Sequence, residues 1–154
     1  MSFLAGVAVL DLTTVVVGPS CTLRLAQYGA SVVKVETAAG DMMRSLGGPS
    51  PDRRHSGAYL HLNAGKRNAC LNLRHAAGRA ALLRLVERAD VLVANMRPEA
   101  LCRLSLDAAT LRARQPALIH CVITGFGPGP RYYVAAAPHG NARNFPAFLA
   151  RTRR

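Results

Sequence analysis

The chain has 154 residues, of which 50% are hydrophobic, with 20 Lys or Arg against 8 Asp or Glu and a formal charge of +12. That length is enough for one domain that buries about 68–70% of its unfolded surface, so a packed core is expected. No apolar run approaches the roughly 20 residues of a bilayer span, and no basic stretch precedes an apolar segment and cleavage site at the N-terminus, so a cytoplasmic location with no membrane partner is expected. The charge alone would admit a nucleic-acid binder. Its distribution argues against one: only Lys34 and Lys66 are lysines, the arginines are scattered through helix-like segments, and no basic stripe interleaves with aromatics. An anionic small molecule is the better match.

In chain order, Val7–Leu12 is a short apolar run suited to a buried parallel strand. Pro19 fits a first helical turn and Gly29 the position past a helix end, and Ser31–Glu36 reads as a second strand. Strand, helix and strand in 36 residues spell a βαβ crossover. Gly, Pro, Asp and Arg dominate from Thr37 to Ser56, which predicts a long loop. Asn68–Leu73 alternates as a strand does, Ala76–Ala89 places Leu82, Leu83, Leu85 and Val86 on one helical face, and Asp90–Asn95 is the next strand. Pro98 opens a short helix to Leu104, Asp107 caps another to Arg114, and Ala117–Thr124 is the last clear strand. The alternation predicts an α/β fold with a Rossmann-like open, mostly parallel sheet.

Beyond Pro130 the periodicity collapses; the segment 131–154 holds five arginines and no acid, Asp107 being the last. It reads as a solvated basic extension, as an out-of-frame ending of a frameshifted or truncated gene, or as a genuine tail that docks elsewhere. The domain is therefore placed at 1–130 and is expected to be incomplete, with 131–154 a divergent basic tail.

The four cysteines, Cys21, Cys70, Cys102 and Cys121, form no CxxC pair and have no histidine at ligand spacing, so reduced, mostly buried thiols and no metal site are expected. The Gly18–Thr22 segment, GPSCT, lies where a strand passes into a helix, a place where backbone amides hold phosphate. It is neither a GxGxxG nor a GxxxxGK[ST] loop, which removes the main support for a dinucleotide oxidoreductase or a nucleotide hydrolase. His120, flanked by apolar residues, reads as a sheet-face residue and not as a base.

The blocks LAGVAVLDLT, VGPSCT, YGASVVKVE, GDMMR, LNAGKRNACLNL, ADVLVANMRPEAL and ALIHCVITGFGPGP, in that order across Leu4–Pro130, resemble the family III CoA-transferases of the CaiB/BaiF type, which also include α-methylacyl-CoA racemases. The resemblance implies a ring-shaped subunit interlocked in a homodimer, coenzyme A or its acyl esters lying across the strand ends of the large domain, and a catalytic Asp that forms a mixed anhydride with the acyl group. Carried over by position, Val15 and Val16 would lie beside the coenzyme. Thr37 stands where many members have an arginine for the nucleotide end, a departure that weakens the implied phosphate clamp, although Lys34 and Arg44 are near in sequence and could substitute. Leu71 and Arg74 match adenosine-end contacts, while Asn95, Met96, Ala100, Arg103 and Leu104 match the segment that cradles pantetheine and pyrophosphate. Apart from the resemblance, Leu71 and Leu104 read as core, Arg74 and Arg103 as solvated faces, and Asn95 as a turn former.

No residue here matches the catalytic Asp, so this polypeptide alone is expected to be inactive, with no catalytic residue assigned. The expected function is the N-terminal coenzyme-binding portion of an acyl-CoA transferase, with transferase preferred over racemase for the intact enzyme. The alternative is a non-catalytic CoA-ester binding protein.

Overall fold

A computed structural model describes residues 2–46 and 55–125. The chain divides into two units, Met1–Val122 and Ile123–Arg154, so the tail and most of GFGPGP lie outside the described residues. The first unit is a five-stranded, all-parallel sheet in the order β3-β2-β1-β4-β5. Its strands are β1 (Ala8–Leu12), β2 (Ser31–Glu36), β3 (Arg67–Cys70), β4 (Val91–Ala94) and β5 (Ile119–Val122). The helices are α1 (Val17–Gln27), α2 (Gly57–Leu62), α3 (Ala76–Val86), α4 (Pro98–Arg103) and α5 (Ala108–Arg114). The order reverses at β1, with β2 on one side and β4 on the other, which is the doubly wound arrangement.

Side chains alternate across a strand, and here the alternation separates two chemically different layers. Leu10 and Leu12 of β1, Val35 of β2, and Leu92 and Ala94 of β4 join Leu82 and Val86 of α3, Leu101 of α4 and Leu111 of α5 in one apolar cluster. Asp11 and Lys34 point the other way, toward the side of α1 and α2, and are fully buried. They stand opposite one another in the β1–β2 register, and Lys34 pairs in turn with Asn68 of β3. One layer of the interior is therefore oily, while the other sets Asp11 and Lys34 among the buried Val9, Val32 and Val93.

Local signals explain the helix starts. Asp107 accepts the Thr110 N–H at 3.0 Å and begins α5 as the sequence reading expects. The predicted long loop is not featureless. Asp41 caps a single 3-10 turn at Met42–Arg44, and Ser56 accepts the Tyr59 N–H to begin α2. Residues 47–54 lie outside the described residues. The 3-10 turn lies inside the predicted loop and α2 just after it; each is one turn or so long and depends on a cap more than on a hydrophobic period.

Gly18 sits in the first turn of α1 against Thr13, and a Cβ there would collide with the Thr13 side chain. Gly18→Ala should therefore destabilise the chain by about 1–3 kcal/mol, the usual cost of forcing extra volume into a packed site. A denaturant midpoint unchanged from wild type would refute this reading.

The cysteines depart from expectation. Cys21, Cys70 and Cys102 are exposed and Cys121 is half-buried, all as free thiols. Cys21 lies on the outer side of α1, while Thr22 beside it turns inward to the polar layer. Short amphipathic elements expose about as many positions as they bury, and a small apolar residue type does not decide which.

Candidate functional site at the strand ends

Every residue assigned to a coenzyme contact lies just beyond the carboxyl end of a strand or in the helix that follows. Val15 and Val16 follow β1, Thr37 follows β2, Leu71 and Arg74 follow β3, and Asn95 and Met96 follow β4, with Ala100, Arg103 and Leu104 in or at the end of α4. In an open parallel sheet this edge is where ligands bind, at the point where the strand order reverses. That point lies between β1 and β4, and there Thr14 and Asn95 meet: the Asn95 side-chain amide donates to the Thr14 carbonyl at 2.9 Å and accepts the Thr14 N–H at 3.0 Å. Asn95 is thus a brace for the loop after β1.

The next residue, Val15, adopts φ +72°. The left-handed region is a genuine outlier for a β-branched side chain, and such strain, about 1–3 kcal/mol, persists only where the surroundings impose it. Its N–H points at both carboxylate oxygens of Asp41, at 3.1 and 3.2 Å. Val16 then serves as the N-cap of α1 without a side-chain cap, and both Val16 and Val17 are exposed.

The two lysines and Arg44 are committed inside. Lys34, 1% exposed, donates to Asp41 at 3.1 Å and to the Thr13 carbonyl at 2.8 Å. Arg44 donates to Glu36 at 2.8 Å and to the Tyr59 hydroxyl at 2.6 Å, with its guanidinium 4.1 Å from the centre of the Tyr59 ring. The expectation that Lys34 or Arg44 replaces an arginine at Thr37 is therefore corrected, since each cation is already neutralised by a buried carboxylate. Among the described residues, Arg74, Arg97 and Arg103 are exposed cations at this edge. Leu71, Met96 and Leu104 pack half-buried at the margin of the apolar cluster, which fits the reading of the two leucines as core.

Lys66, read in the sequence only as one basic residue among many, organises the polar layer. Its ammonium lies 3.0 Å from Asp11 Oδ2, 2.9 Å from the Pro19 carbonyl, 2.8 Å from Thr22 Oγ1 and 3.0 Å from Asn63 Oδ1. Burial pushes the Asp11 carboxyl up, but Lys34, Lys66 and the Thr13 and Thr22 hydroxyls outweigh it and hold the group below the ordinary range. Glu36 behaves alike: burial raises it, while Arg44, Tyr59 and Lys34 bring it below its ordinary value. Burial and the bond to Glu36 push the Tyr59 phenol upward. His120 is half-buried on β5; burial lowers its imidazole, and Nε2 has no hydrogen-bond partner among the described residues.

A cavity of about 130 Å³ opens between α2 and β3, lined by Lys34, Tyr59, Asn63, Lys66 and Asn68 among others. It is well below the roughly 300–1,000 Å³ of a small-molecule cleft, and none of the coenzyme candidates lines it. Among the described residues no group of three or more His, Cys, Asp or Glu converges as a metal site, and no helix is long and apolar enough to cross a membrane.

The fold and its braced strand-end loops define a doubly wound α/β domain. The profile of CoA-transferase family III matches residues 4–139, and the chain belongs to that family. It is 42% identical over 130 residues to a succinyl-CoA:mesaconate CoA-transferase of Haloarcula marismortui, covering 82% of this chain and 33% of that protein. It is 37% identical over 150 residues to a formyl-CoA:oxalate CoA-transferase of Streptomyces avermitilis, covering 94% and 36%. The crystal structure of a CAIB/BAIF family protein from Brucella suis superposes with a TM-score of 0.80 at 36% identity, over 84% of this chain and 35% of that one. The chain spans about a third of the length of these relatives.

Proposed function

We propose that this chain is the coenzyme A-binding portion of a family III acyl-CoA transferase, and that the intact enzyme moves coenzyme A between carboxylic acids. The observation that carries the reading is the gathering of Val15, Val16, Thr37, Leu71, Arg74, Asn95, Met96, Ala100 and Arg103 along one edge of the sheet around a braced, strained loop. The exposed guanidiniums of Arg74 and Arg103 suit the phosphates, since a planar fork matches phosphate geometry. Leu71, Met96 and Leu104 line the margin with apolar surface for adenine or pantetheine.

In the intact enzyme a catalytic carboxylate attacks the acyl carbonyl, the C–S bond breaks, and coenzyme A leaves as its thiolate. In this reading the residues of this chain supply the coenzyme-binding edge, and no residue among them is assigned the role of that carboxylate. It works in the cytoplasm, and the homodimer belongs to the intact enzyme.

Calorimetric titration with coenzyme A tests the reading. Wild type should bind, and Arg74→Glu should weaken binding by about 10–100-fold, the range of a lost charge-assisted contact. Isotope exchange between an acyl-CoA and free coenzyme A should stay at the background rate. Absence of binding, or turnover by the purified chain, would overturn the reading.

A further inference from the structure

We propose that Asp41 is a positioning residue for the coenzyme loop, a buried carboxylate that holds Val15 in the left-handed conformation and so fixes the Val15–Val16 backbone for the ligand. The inference rests on the reading of that loop as a coenzyme contact.

Each residue of the loop is tied down by a side chain from a different part of the fold. The Thr13 carbonyl accepts from Lys34 of β2, the Thr14 N–H and carbonyl are bracketed by Asn95 after β4, and the Val15 N–H donates to Asp41. Asp41 is itself immobilised. Its Oδ2 takes the Lys34 ammonium at 3.1 Å, its Oδ1 takes the Met43 N–H at 3.0 Å, and its own N–H donates to Glu36 at 3.2 Å. At 2% exposure this carboxylate has little room to reorient.

A valine left to its own preference returns to negative φ, since glycine enters the left-handed region readily and a β-branched residue is a genuine outlier there. The Asp41 pull on its N–H is the contact that opposes this, and Val15 also packs on Met43, Tyr59 and Leu62. A loop already in its binding conformation avoids the ordering penalty on association. The Asp41 and Lys34 pair thus acts on affinity from behind the loop, out of reach of the ligand.

A double-mutant cycle of Asp41→Asn and Val15→Gly tests this, read by calorimetry with coenzyme A and by hydrogen exchange of the residue-15 amide in NMR spectra. Asp41→Asn should speed that amide's exchange and weaken coenzyme A about tenfold, whereas in the Val15→Gly background, where φ +72° is unstrained, it should weaken binding less than about threefold. Equal losses in both backgrounds, or unchanged exchange of the Val15 amide, would overturn the proposal. If Asp41→Asn alone does not fold, Lys34→Met combined with Asp41→Asn removes the buried charge together with its partner and runs the same cycle. If wild type ignores coenzyme A, the functional reading falls, and the amide exchange still decides whether Asp41 holds the loop.

Discussion

Replacing Lys66 with methionine should destabilise the chain by about 3–5 kcal/mol, the range seen when one partner of a buried ion pair is removed and the other is left uncompensated. Lys66 and Asp11 have side chains 1% and 0% exposed, so neither can recover its lost partner from water without opening the sheet face. The substitution also leaves the Pro19 carbonyl and Asn63 Oδ1 short of a donor, and both lie at the α1 and α2 ends of the polar layer. Total stability of a small domain is about 5–15 kcal/mol, so roughly a fifth or more of it is at stake. Urea unfolding followed by circular dichroism measures the loss. Asp11→Leu combined with Lys66→Met should recover part of it, because an apolar pair of similar volume is tolerated where a lone charge is not. A midpoint for Lys66→Met within error of wild type would show that the ammonium can be dispensed with.

Acidification should unfold the chain in two stages. His120 has its imidazole lowered below the ordinary 6.5, so the unfolded chain takes up that proton first and stability begins a shallow decline as pH falls below that value. Asp11 and Glu36 are lowered from ordinary values of 3.8 and 4.5. Their contribution is whole above those values and is lost as pH drops through the still lower folded ones, giving a steep second stage. Unfolding free energies at pH 7, 5.5 and 4.5 trace the first stage, and points at pH 3.5 and 2.5 trace the second. His120→Leu should flatten the first and Glu36→Gln should shrink the second. A chain equally stable at pH 3.5 and 7 would contradict the assignment of ionised, buried carboxylates.

Much of the architecture was legible because it is written in short-range pattern. The apolar runs of β1, β2 and β4, the Asp107 cap and the Pro98 start need only neighbours within a turn or a strand. The family blocks likewise placed the coenzyme candidates on one sheet edge before any coordinates. What stayed hidden depends on distant partners. Lys66 meets Asp11 across 55 positions and Thr22 across 44, and Asn95 meets Thr14 across 81. No periodicity marks such pairs. That Lys34 and Arg44 could stand in for an arginine at Thr37 fails because their carboxylates, Asp41 and Glu36, are near in sequence yet face inward only in the fold. The acid after Gly40 in the GDMMR block was the available clue to the Asp41 brace.

The two-faced sheet has a consequence for how the chain finds its native pairing. Shifting β2 by one residue against β1 would turn Lys34 and Glu36 toward the leucines of α3 and α5 and set Val33 and Val35 among the threonines and carboxylates. A mispaired strand of this kind strands naked ions in hydrocarbon, a far heavier penalty than a poorly fitting methyl group. Wrong alignments are thereby discarded early, and the same charges that steady the finished fold act as its proofreaders during assembly.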